Sequence, residues 1–136
     1  MSLARFHDAQ DAIWPVPLDE LRAGRKASHW VWFVFPQLAS LGRSGTARFY
    51  GIADLDEARS YLADPVLRER LIAAADALLA HREGDVGAIM GPVDALKLRS
   101  SMTLFDRAAD GAIPQFPGVL DVFFGGARCP ITEAAA

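Results

Sequence analysis

The chain has 136 residues, half of them hydrophobic and 23% charged, with a formal net charge of −3 and a single cysteine. That length gives one domain with a sizeable core, and that composition excludes a disordered chain. The mild acidity gives no general reason to expect nucleic acid or an anionic membrane as partner, and one cysteine excludes an intrachain disulfide. No apolar run approaches the roughly 20 residues of a membrane span, and no secretory h-region opens the chain. The expectation is a cytoplasmic single domain over 1–136, ordered over about 3–126, with a frayed tail at 127–136; the sequence does not fix the oligomeric state, and a monomer is slightly favoured.

In chain order, Leu3, Phe6, Ala9, Gln10 and Ile13 share one face of an amphipathic helix, which Pro15 and Pro17 should end. Asp19 to Arg22 predicts a second short helix, with Gly24 closing it. The run Trp30 to Phe35 is β-branched and aromatic, as strands are. No second strand partner is evident, and an unpaired strand would orphan its backbone groups. The run is therefore expected to form a short buried helix ended by Pro36. Leu38 to Gly45 reads as a loop and Thr46 to Tyr50 as one helical turn.

Asp54 with Glu57 three residues on forms a capping-box pattern, predicting a helix to about Ala63. Asp64-Pro65 starts the next, whose stripe is Val66, Leu67, Leu71, Ala74, Ala75, Leu78 and Leu79. Asp85 to Met90 is a short helix closed by Gly91. Pro92 opens a long one reaching about Ala109, with Leu96, Leu98, Met102, Leu104 and Phe105 as its apolar members. Gly118 to Phe124 is a last short helix stopped by Gly125-Gly126. The sum is an all-α, compact multihelical domain of seven to nine helices, two of them long.

Phosphate loops, nucleophile elbows and metal-ligand spacings are missing, so neither a metal nor a cofactor is implied. His7 and His81 read as solvated, and Cys129 as a residue of the loose tail. Two segments hold the chemistry. One carries Arg25, Lys26, His29, Trp30 and Trp32. The other carries Lys97, Ser100, Ser101 and Thr103 in a helix interior, where hydroxyls have mediocre propensity. Two accounts compete for those hydroxyls: bonding back to carbonyls four residues earlier, or a bound polar ligand. If the segments meet, cations, hydroxyls and a flat aromatic face would suit a small anionic ligand, phosphate-bearing and nucleotide- or ADP-ribose-like. His29 is the candidate acid or base. The competing expectation is a non-enzymatic interaction or regulatory module without a small-molecule site.

Gly24-Arg25-Lys26, Ser28 to Gln37, Leu41-Gly42-Arg43-Ser44, Tyr50-Gly51-Ile52, Leu62 to Leu67, Lys97 to Phe105 and Phe123 to Gly126 together resemble a family of small bacterial proteins of unknown function. Some of its members carry the name calpastatin. The resemblance runs from Arg5 to about Gly126 and implies a compact multihelical fold, with no activity attached. True calpastatin is a long disordered inhibitor, which a half-apolar chain with three tryptophans is not.

Overall fold

The computed structural model describes residues 3–136. Ten α-helices run through them: α1 Ala4–Asp11, α2 Val16–Arg22, α3 Val31–Val34, α4 Gly45–Phe49, α5 Leu55–Ala63, α6 Pro65–Leu79, α7 Val86–Met90, α8 Pro92–Ala108, α9 Gln115–Phe124 and α10 Pro130–Ala135. Among the described residues the fold is all-helical. The one β feature is an isolated parallel bridge between Leu38 and Ile52. The two long helices are α6 and α8, as the periodicity predicts.

The helix starts follow from local capping chemistry. Asp54 Oδ1 accepts from the Glu57 N–H at 2.8 Å, and Asp64 Oδ1 accepts from Val66 and Leu67. Asp85 Oδ1 accepts from Gly87. The capping box at α5 closes differently from its pattern: Glu57 reaches past Asp54 to the Ala53 N–H at 2.9 Å and to Arg5 at 3.0 Å. Gly91 and Gly125 end α7 and α9 with φ of 91° and 59°, where a side chain would be strained.

Helix α8 is the axis of the molecule. It packs against α3, α5, α7, α9 and α10, while α6 closes the core through α2, α5 and α9. Leu98, Met102, Leu104 and Phe105 are fully buried on α8, and the Phe105 ring packs against those of Tyr61 and Phe116. On α1, Gln10 is buried and donates to the Phe33 carbonyl at 2.7 Å and to the Tyr61 hydroxyl at 3.1 Å, which ties α1 to α3 and α5. Trp30 to Phe35 is a short buried helix entered by Trp30 and left at Phe35, as expected for an apolar run without a strand partner.

Three expectations need correction. Leu96 and Val66, taken for core members of their helices, are 59% and 42% exposed, because no other element covers them near the starts of α8 and α6. Residues after Gly126, expected to fray, form α10: Thr132 is buried, and Arg107 and Arg128 both grip Glu133. His7 and His81 are engaged rather than merely solvated. His7 Nε2 lies 2.6 Å from Asp64 Oδ2, and His81 Nε2 lies 3.0 Å from the Arg22 carbonyl.

Gly51 lets two loops touch. A Cβ there would lie 2.3 Å from Ala39 Cα, so only glycine allows the 37–41 loop its seat. The pair is fastened by Ala39 N–H to Ile52 and Ile52 N–H to Gln37, both at 2.8 Å.

Candidate functional site

The Arg25–Trp30 segment is wound around one carboxylate. Glu20 Oε1 accepts from the Ala27 N–H at 2.7 Å, the Ser28 N–H at 3.0 Å and the Trp30 Nε1–H at 2.9 Å, while Oε2 accepts from the Ser28 hydroxyl at 2.6 Å. Burial pushes this carboxyl up, but the Ser28 hydroxyl, the Trp30 indole and the two backbone N–H groups outweigh it and hold it at about 2. Trp30 is thereby fixed in the core. Lys26 is fixed with it: its side chain is almost wholly buried, and its ammonium pairs with Asp94 at 2.9 Å, donates to the Ser28 carbonyl at 2.5 Å and lies 5.0 Å from the Trp30 ring centroid. These groups satisfy one another. Arg25 and His29 project to solvent beside them.

One turn further along α8 the situation opens. Lys97 lies 5.1 Å from the Trp32 ring centroid and 3.7 Å from Asp94, whose carboxylate is already held by Lys26. The two segments are thus neighbours, joined through Asp94 and the two tryptophans. Lys97 borders a cleft of about 490 Å³ with three walls. Val93, Leu96, Lys97 and Ser100 supply one, spaced as a single helical stripe. Gln37, Leu41, Arg43, Ser44 and Ala47 supply the second, and Cys129 and Ile131 the third. Arg43 is exposed, with no hydrogen-bond or ion-pair partner among the described residues. The lining therefore holds two cations and no carboxylate.

The hydroxyls divide. Ser100 lines the cleft and donates to the Leu96 carbonyl at 3.2 Å. Thr103 donates to the Arg99 carbonyl at 2.8 Å and accepts the Cys129 N–H at 3.0 Å, so it anchors the third wall from below. Ser101 is fully buried, its Oγ without a partner among the described residues, and does not line the cleft. Bonding back to carbonyls four residues earlier thus accounts for Ser100 and Thr103. Of the predicted ligand-binding residues, Lys97 and Ser100 line the cleft, and Trp32 backs it through Lys97. Lys26 and Trp30 are structural, and Ser101, Arg25 and His29 lie away from it.

Gln37, Arg43, Ser44, Val93, Leu96, Cys129 and Ile131 were missed. The i, i+3, i+4, i+7 spacing of 93, 96, 97 and 100 was a legible signal; nothing local marks the others. Cys129 is buried. Burial pushes its thiol up, but the hydroxyls of Ser100 and Thr132 and the N–H groups of Thr132 and Ile131 bring it below the ordinary cysteine range.

The opposite face of α10 borders a second cleft of about 540 Å³, which contrasts with the first. There Arg128 pairs with Asp106 and Glu133, and Arg107 with Glu133 at 3.2 Å. Hydrogen bonding from Arg128 holds Glu133 below the usual carboxylate range against the pull of burial. Positive charge there is spent internally. Among the described residues no group of histidine, cysteine and carboxylates is placed to hold a metal, and no helix is long and apolar enough to cross a membrane.

The family described as "Protein of unknown function (DUF1810)" matches residues 1–135. The chain belongs to the DUF1810 family. No curated protein matches it. Among solved structures it is similar to the conserved hypothetical protein Rv1873 from Mycobacterium tuberculosis, a crystal structure, at 45% identity and a TM-score of 0.94. The match covers 97% of this chain and 94% of that one. The helical arrangement around α8 is therefore shared with that crystal structure.

Proposed function

We propose that this DUF1810 protein binds a small anionic ligand in the cleft between α8, the 37–47 loop and α10. The observation that carries the reading is the charge balance of the lining. In a chain of net charge −3, this cleft presents Arg43 and Lys97 with no carboxylate among its walls. Arg43 offers a free guanidinium fork, the geometry suited to carboxylate or phosphate, and the Gln37 amide and Ser44 hydroxyl add neutral polar partners. The volume falls in the range of small-molecule sites.

Binding is what this lining supports. The cleft has a thiol at Cys129 but neither a histidine nor a carboxylate beside it to serve as base, and His29 lies at the surface away from it. The phosphate-bearing, nucleotide- or ADP-ribose-like ligands suggested by the sequence are one class the cations would accept. Stacking on Trp32, however, competes with Lys97, which already occupies one face of that ring.

The test is a thermal-shift panel of carboxylates, phosphate esters and nucleotides on the whole chain, since a ligand of the folded state raises Tm by mass action. At least one anion should raise Tm, with the shift lost in Lys97→Ala and Arg43→Ala. A flat panel, or shifts indifferent to both variants, would refute the proposal and favour the interaction-module reading.

A further inference from the structure

An anion held by Arg43 and Lys97 must lay the rest of its body along α8. What it meets there is apolar. Val93, Leu96 and Ile131 are 66%, 59% and 61% exposed, and all three border this cleft. They are half of the six large hydrophobic side chains that stand exposed on the described surface. Scattered exposed hydrophobes are ordinary, but their gathering around one concave site marks a place that something apolar covers. Leu41 and Ala47 continue the same surface on the facing wall.

The charge available is small. The Lys97 ammonium is drawn over Trp32 and toward Asp94, a carboxylate that Lys26 already holds at 2.9 Å, so part of its charge is spent. Arg43 is the one lining cation without a partner among the described residues. A diphosphate would bring more negative charge than these two groups compensate. Its ribose hydroxyls would face methyl groups where they need hydrogen-bond partners, and unpaired polar groups are costly to cover. A single carboxylate matches the guanidinium fork and leaves the remainder of the ligand free to be apolar. The stripe from Val93 to Ser100 is about 10 Å long at the helical rise, room for a bicyclic aryl group or a short acyl chain.

We propose that the ligand is an amphiphilic monocarboxylate, its head held by Arg43 and Lys97 and its aryl or short acyl body lying on Val93, Leu96 and Ile131. This rests on the anion-binding reading of the cleft. The mouth is wet and cationic on one side and greasy on the other, and such a ligand satisfies both.

The experiment is titration calorimetry of the whole chain with 2-naphthoate and octanoate as amphiphiles, acetate as head without body, and inorganic phosphate, ADP and ADP-ribose as polar anions. The amphiphiles should bind saturably and at least about tenfold more tightly than acetate, the gain coming from covered apolar surface. Arg43→Ala and Leu96→Ser should each weaken naphthoate by about tenfold or more. Both positions are exposed, so an unchanged thermal melt shows that the loss is local. If ADP, ADP-ribose or phosphate binds in a Lys97-dependent manner while the amphiphiles do not, the cleft is an anion site and this inference falls alone. If no probe binds, both fall. Naphthoate binding that neither variant weakens would place it elsewhere and overturn the proposal.

Discussion

Lys26 and Lys97 are made of the same parts. Each ammonium lies near a tryptophan ring, at 5.0 and 5.1 Å, and each faces Asp94. Their fates differ. Lys26 is 5% exposed, 2.9 Å from the carboxylate, and closed over by a loop that Glu20 gathers. Lys97 is 24% exposed, 3.7 Å from the same carboxylate, and borders an open cleft. One carboxylate cannot neutralise two cations. The nearer cation becomes part of the framework, and the farther one keeps charge to offer outward. The comparison teaches that a cation beside a tryptophan acquires its role from whether its charge is already spent.

Four measurements would break or sharpen this contrast. The largest effect should come from Glu20→Ala, which strips four donors of their acceptor, the buried Trp30 indole among them. Urea denaturation should show a loss of about 3 kcal/mol, most of it from stranding the Trp30 indole and the part-buried Ser28 donors. Next is Lys26→Met, which leaves Asp94 half-paired and should cost about 2 kcal/mol, below the full range for a deeply buried pair because Asp94 is partly open. The comparison collapses if Lys97→Met destabilises as much.

The third concerns pH. Glu20 titrates at about 2 in the folded chain, against an ordinary 4.5. A carboxyl depressed by folding contributes stability that is whole above its unfolded value and is lost as pH falls through its folded one. Tm should therefore decline between about pH 4.5 and pH 2, and Glu20→Gln should flatten that part of the curve. An identical slope in the variant would remove Glu20 from its place as the organiser of the loop. The smallest stability effect belongs to Lys97→Met, within about 0.5 kcal/mol of the parent, because its ion pair is long at 3.7 Å and Asp94 keeps its nearer partner Lys26.

The fold was largely legible because its signals are local. Asp54, Asp64 and Asp85 cap as their positions suggest, Gly91 and Gly125 stop helices, and the period along α6 and α8 is plain. The two chemistry-bearing segments stand out in the sequence, but their meeting through Asp94 has no local sign there. What escaped depends on distant pieces of chain. Glu20 sits seven to ten residues before its donors in an unremarkable short helix. Leu96 obeys the apolar period of α8 and still faces out, because periodicity says which face a residue shares and not whether another element covers it. Cys129 looked loose because its order comes from Thr103, 26 residues away.

The third wall of the cleft is held partly by the buried Thr103 bond and partly by charge. On its far side α10 is fastened by Arg107, Arg128, Asp106 and Glu133, partly open to solvent, so its attachment is exposed to screening in a way the Phe105 core is not. Buffer composition thereby becomes a variable of the site itself. Concentrated salt should slacken the C-terminal helix, bare the lone sulfur beneath it and speed its alkylation, long before the helical signal of the whole chain changes.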